Sequence, residues 1–183
     1  MALNATSKPA ISFTLTITET SYMNSQVTES TIGGKSDLTF TNGDGTGQIN
    51  MGSAISGNLP SGGVTSYDFT SFPKAVFGSS INLDFSSGIK GITVVNNYNI
   101  PTGSGGIPMA VADLPYININ ATGSNAFTEL FNGESGNIKI NPQGSWTFVD
   151  FVGRFPTASN KLVHLVDSGS GVPYEITIIG VTG

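Results

Sequence analysis

Residues 11–18 read Ile-Ser-Phe-Thr-Leu-Thr-Ile-Thr. Apolar and hydroxyl side chains alternate without a break. In an extended chain that pattern sends one set to each face. It suits a half-buried strand and no helix, and the outward threonines are good strand formers. The rest of the chain keeps to this period. Short apolar-rich runs recur every 8–12 residues or so, separated by glycine, proline, asparagine and serine clusters, which is the spacing of a sandwich or barrel.

The predicted strands are 11–18, 26–32, 66–72, 81–85, 89–96, 107–114, 116–120, 137–140, 145–151, 161–166 and 174–181. Residues 37–41 and 48–51 flank Asn42-Gly43-Asp44-Gly45-Thr46-Gly47 and read as a hairpin around residues that tolerate positive φ. Residues 53–66 carry Pro60 and several glycines and read as a loop. The one helical turn expected lies at 124–131, where Phe127 stands three and four residues before Leu130 and Phe131. The fold class is therefore all-β: a single antiparallel β-sandwich, jelly-roll-like, over residues 1–183. Residues 1–10 read as a possible arm, and the 53–66 loop is the sole candidate boundary. The N-terminal strand or hairpin is positioned to pair with a neighbouring subunit through Ile11, Phe13, Leu15 and Ile17.

Composition excludes several functions. Among 183 residues only 10% are charged, with 24 glycines, no cysteine and a net charge of −5. Zero cysteines rule out disulfides, thiolate metal sites and thiol nucleophiles. An acidic chain with one arginine is a poor phosphate binder, so no nucleic-acid partner is expected. No apolar run has the length of a membrane-spanning helix, and residues 1–10 lack the basic stretch and apolar core of a secretory signal.

Few residues point to chemistry. His164 is the single histidine, on a strand face shared with Leu162 and Val166. A catalytic or metal role needs a partner that no second histidine supplies, so it reads as a structural histidine. Asn42 and Asp44 sit at calcium-loop spacing, but no closing acid follows, and a turn is the better reading. Glycosidase chemistry needs two facing carboxylates. Asp84, Asp150 and Asp167 lie in or beside predicted strands, with nothing in their spacing to bring them together. Gly103-Ser104-Gly105-Gly106 lacks the lysine and helix of a phosphate cradle. Trp146 lies in a segment apolar on both faces, Trp146 with Phe148 and Asp150 on one and Thr147 with Val149 and Phe151 on the other. This reads as a strand central to its sheet or covered on both sides, with Trp146 in the core.

Four segments in order carry a resemblance: LTFTNGDGTGQ at 38–48, YDFTSFPKAVFGSSINLDFSSGIKGITVVNN at 67–97, GSNAFTELFNGESGNIKINPQGSWTFV at 123–149, and KLVHLVDSGSGVPYEITIIGVTG at 161–183. Together they resemble small β-rich proteins encoded in the virion structural gene modules of tailed bacteriophages. The shared marks are an Asn-Ala-Phe turn, a Pro-x-Gly turn before an apolar strand, and a closing Tyr-Glu-Ile-x-Ile-Ile-Gly strand. The likeness covers most of the chain beyond residue 36, and residues 100–108 form a longer stretch than the pattern has there.

The resemblance implies a virion component, without saying which; with a charge-poor, acidic surface of hydroxyls and amides, the first expectation is a non-enzymatic capsid decoration or cement protein on the outer shell, made in the host cytoplasm. Its partners would be the major capsid protein or other virion proteins, and no cofactor, nucleic acid or membrane would be involved. An acidic chain suits the outside of a shell packed with phosphate, and symmetric shells favour closed oligomers, a trimer first. The alternative is a tail, fibre or head-spike component that binds a host surface glycan, through Tyr98, Tyr116 or Trp146.

Overall fold

A computed structural model describes residues 10–23, 26–76, 79–101, 114–131, 133 and 136–182; side chains are described from residue 40 onward, save 42, 75, 76 and 79. The chain divides into two compact units, 1–42 and 43–183.

In the first unit, β1 (Ala10–Met23) and β2 (Gln26–Thr39) form an antiparallel hairpin in register from Ala10 opposite Thr39 to Met23 opposite Gln26. Both strands run longer than the apolar alternation, and residues 37–39, expected in the next hairpin, belong to β2. The two-residue β3 (Thr41–Asn42) closes this unit. The side chains of Ile11, Phe13, Leu15 and Ile17 lie outside the described residues.

The second unit begins with β4 (Gln48–Ile49) and continues through β5 (Met51–Leu59), β6 (Val64–Asp68), β7 (Phe72–Val76), β8 (Ser79–Leu83) and β9 (Ile89–Asn96). It ends with β10 (Ile117–Asn120), β11 (Asn137–Ile140), β12 (Ser145–Arg154), β13 (Leu162–Asp167) and β14 (Val172–Gly180). Eight of these strands build two four-stranded antiparallel sheets, in the orders β12-β9-β14-β5 and β11-β10-β13-β6, and β7 and β8 form a separate hairpin. The fold is all-β and sandwich-like. The described residues contain no α-helix, and the expected helical turn at 124–131 is a 3₁₀ turn at Thr128–Phe131. The strand expected at 107–114 lies outside the described residues except for Leu114.

The core follows from alternation. In β14, Val172, Tyr174, Ile176 and Ile178 are buried while Pro173 and Glu175 are exposed. Ile176 and Ile178 stand opposite Val94 and Ile92 of β9, which in turn face Trp146 and Phe148 of β12. The other sheet contributes Ile117, Ile119, Ile140, Val163 and Leu165 to the same cluster. Phe69, Phe72, Phe85 and Phe127 come from connections or strand ends and close one end of the core. Phe127 meets Phe69 edge-on with ring centres 5.1 Å apart, and Phe85 meets Phe72 edge-on at 6.1 Å. Such pairs add to the burial they accompany.

At the other end the chain crosses between the sheets four times, through 60–63, 97–116, 141–144 and 168–171. Each crossing strips backbone polar groups from the ladders, and they need new partners. Asp167 is buried, and its Oδ2 accepts from the N–H groups of Gly62 and Gly171, both at 2.9 Å, clasping two crossings. Ser61 adds a hydroxyl bond to the Gly169 carbonyl. Asn96, fully buried, ties the other two. Its Nδ2 donates to the Ile140 carbonyl at 3.0 Å, its Oδ1 accepts from the Tyr98 N–H at 2.9 Å, and its own N–H reaches the Gly144 carbonyl.

Two expectations are corrected. Most of 53–66 is strand: β5 spans its first half, β6 begins at Val64, and the loop shrinks to 60–63. Ser53, Ser56, Gly57 and Asn58 give β5 little intrinsic strand preference, but its register against all nine residues of β14 imposes the conformation. Nor is β12 central. It forms an edge of its sheet, with its pairing to β9 shifted between Val149 and Arg154. The bulge breaks the alternation, so Phe151 and Val152 are both exposed.

These contacts set two stability expectations, both read by denaturant unfolding. Phe69→Ala empties a fully buried aromatic site and costs about 3–5 kcal/mol, whereas Phe155→Ala, at a half-exposed site, costs less than about 1 kcal/mol. Asp167→Ala leaves two crossing N–H groups without their acceptor and costs about 2–4 kcal/mol; a loss below about 1 kcal/mol would show that the clasp does not hold the crossings.

Candidate functional site

The outer face of the β11-β10-β13-β6 sheet carries the most chemistry. Strand register places Asn137, Asn120, His164 and Ser66 directly opposite one another, one from each strand. The neighbouring rung is Lys139, Asn118, Val166 and Val64. The first rung is thus all polar and the second mixed, as alternation dictates for a wet face.

Within the polar rung, His164 Nδ1 and Ser66 Oγ are 2.7 Å apart. Asn120 Oδ1 accepts from the Thr122 N–H at 2.7 Å and its hydroxyl at 2.6 Å, closing the turn after β10. Gly123, at φ +120°, leaves room beside the imidazole, where a Cβ would stand 3.5 Å from Nε2. Nε2 itself is shielded from water and has no hydrogen-bond partner among the described residues. Burial lowers the His164 pKa below its ordinary value, favouring the neutral ring. A serine–histidine pair becomes a nucleophile and base only when a third group orients the far ring nitrogen. Here that nitrogen faces no carboxylate among the described residues. The rung is a neutral hydrogen-bonding surface of amides, a hydroxyl and an imidazole. His164 was legible as a strand residue. Its pairing with Ser66 was not, because the two lie far apart in sequence and only the β6–β13 register joins them.

Of the aromatics expected to stack on a glycan, Tyr98 and Trp146 pack against the core, and Trp146 lies over Phe148 with ring centres 6.3 Å apart. Tyr116 carries the Lys139 ammonium over its ring, 3.9 Å from the centre. The turn at 43–47 is filled by the Gln48 amide, whose Oε1 accepts from the Gly45 N–H at 2.8 Å. Of the calcium-loop candidates, the side chain of Asn42 lies outside the described residues and Asp44 is exposed.

The carboxylates read from sequence take separate local duties. Asp84 caps the Ser86 N–H at 2.9 Å, Asp150 accepts from the N–H groups of Val152 and Gly153, and Asp167 clasps the crossings. Asp68 bonds Lys161 at 2.6 Å and both the N–H and hydroxyl of Thr70. Burial pushes the Asp68 carboxyl up, but the bonds from Lys161 and Thr70 outweigh it and hold the pKa below the usual carboxylate range. In the core, burial and the bond to the Tyr174 hydroxyl push the Tyr67 phenol well above its ordinary value.

No protein family, no curated protein and no solved structure matches this chain.

His164 makes a pH dependence testable. With its folded pKa below the unfolded value of about 6.5, the unfolded chain binds the extra proton first, so stability rises with pH. His164's contribution is intact above about pH 7.5 and declines as pH falls through about 6.5. His164→Gln flattens that part of the stability curve between pH 7.5 and 5.5, and an unchanged slope would remove His164 as its source.

Proposed function

We propose that the chain is a non-enzymatic structural protein of a tailed-phage virion, bound to the outer shell as a decoration or cement protein. The strand order carries the reading. The two sheets run β12-β9-β14-β5 and β11-β10-β13-β6, and β5–β6, β9–β10, β11–β12 and β13–β14 each join strands at equivalent positions in the two. This order supports a jelly roll, an architecture used by viral capsid and lectin domains. The resemblance to virion structural proteins points the same way. So does the surface, which is low in charge, acidic overall and free of thiols. The local duties of Asp68, Asp84, Asp150 and Asp167 favour a structural role over acid–base chemistry. The partner in this reading is the major capsid protein, met by a closed oligomer, a trimer first, with β1 contributing Ile11, Phe13, Leu15 and Ile17 to pairing between subunits.

A second reading, attachment to a host surface glycan from the tail, fibre or head spike, is favoured by the Asn137-Asn120-His164-Ser66 rung. Neutral amide and hydroxyl groups in a row match the donors and acceptors of a sugar, although a bare aromatic platform is missing among the described residues.

Quantifying the chain against the major shell protein in purified particles separates the two. Decoration or cement gives a ratio near one to one, and removing the protein lowers the temperature at which the shells open. A few copies per particle would favour the tail or fibre, and absence from the particle would sink both.

A further inference from the structure

Five basic side chains fall among the described residues, and four of them have partners. Lys90 donates to the Phe151 and Val152 carbonyls, and Lys139 lies over the Tyr116 ring. Arg154 pairs with Asp150 and Glu129, and Lys161 with Asp68. Lys74 has no partner among the described residues. On a chain of net charge −5, acids are in excess, yet none is placed beside this ammonium.

Lys74 is half-buried on β7 and lines a cavity of about 320 Å³ with Ala54, Ile55, Ser56, Pro73 and Ser80. One wall is β5. It is an edge strand paired with β14 alone, so on its other side backbone N–H and C=O groups stay out of any ladder. The other wall is the β7–β8 hairpin, whose strands pair only with each other. The buried Ser53 hydroxyl donates to the Pro73 carbonyl at 2.9 Å and ties the two walls together. Pro73 has no N–H with which to close the gap as a ladder. Ile55 anchors the cavity to the hydrophobic core.

We infer that this cleft is a binding site for one carboxylated sugar ring. Each lining group selects a part of that ligand. A single ammonium matches a single negative charge, whereas phosphate is held by guanidinium forks or a row of amides at a helix start, and neither lines the cleft. Ser56, Ser80 and the unpaired edge of β5 both donate and accept, as ring hydroxyls require. Ile55, Ala54 and Pro73 give an apolar wall for the C–H face of the ring. The volume lies at the small end of the roughly 300–1,000 Å³ usual for ligand cavities, room for one ring. The cleft belongs to the other sheet from the Asn137-Asn120-His164-Ser66 rung, and it goes beyond both functional readings above, since it holds wherever the chain sits in a particle.

The test is an amide-resolved NMR titration of the full chain with D-glucuronate, D-glucose and inorganic phosphate in turn, each to about 50 mM, enough to saturate a site of millimolar affinity. Glucuronate shifts the amides of Ala54, Ile55, Ser56, Lys74 and Ser80, and glucose and phosphate bind at least fivefold more weakly. Lys74→Gln weakens glucuronate binding tenfold or more, and Ser80→Asp, which adds a competing carboxylate at an exposed position of the wall, does the same. Lys139→Gln stays within twofold. Thermal melts check that each variant is folded. Glucose binding as tightly as glucuronate, or a folded Lys74→Gln chain that binds within twofold of the parent, overturns the role of the ammonium. Phosphate binding as tightly overturns the sugar and leaves a plain anion site. Shifts confined to Asn120, His164 and their neighbours move the sugar to the rung and overturn the cleft. No shift with glucuronate overturns the site altogether, while the decoration reading stands on its own copy-number measurement.

Discussion

Crossing from one sheet to the other is the act on which this structure depends. Along the eight sandwich strands, every connection except β10–β11 leaves one sheet and enters the other. Each crossing takes backbone N–H and C=O groups out of the ladders, and those groups must be satisfied close to the core. At one end, two buried polar side chains meet this demand. Asp167 holds the 60–63 and 168–171 crossings, and Asn96 holds the 97–116 and 141–144 crossings. At the other end, Phe69, Phe72, Phe85 and Phe127 do the complementary work by excluding water. The two ends differ because four crossings converge on the first, three of them only four residues long, whereas the connections at the second fold aromatic rings inward.

That division bears on function. With both ends secured, the outer sheet faces are released from stabilising the fold and can carry polar rungs such as Asn137-Asn120-His164-Ser66. The edges remain the exposed risk of any open sheet. At β12 the risk is managed by a bulge that ends regular pairing after Val149, with Lys90 and Asp150 consuming the carbonyl and N–H groups that a passing strand would otherwise take. The same bulge turns Phe151 and Val152 toward solvent on consecutive residues.

Much of the architecture was legible in short stretches of sequence. Residues 137–140 are the strand their alternation announces, 89–96 likewise, and 161–166 differs from β13 by one residue at each end. β11 and β13 owe their form to their own side chains, because half-buried alternation needs no knowledge of the neighbour, whereas β9 is buried without alternation over its first four residues. By contrast, β5 is rich in serine and glycine and takes its conformation from β14. The register with β9 places Trp146 on the core side of β12, and the bulge sends Phe151 and Val152 both to solvent. The exposure of both Phe151 and Val152 cannot be read from a run that looks apolar on both faces, whereas Trp146 packs against the core as that run suggested. Ser66 joins His164 only through the β6–β13 ladder.

By itself, then, the chain of residues determined an all-β class, the positions of its strongest strands, and a surface poor in charge and free of thiols. Period-two alternation, glycine-rich turns and composition are local properties, and they survive any arrangement of the strands. Tertiary structure alone decided the strand order, the edge position of β12, and the pairing of Ser66 with His164. It also decided the burial of Lys90 beneath a bulge. Each of these depends on which strand lies beside which, and that choice is made by long-range burial and by the partners available to backbone groups at the crossings.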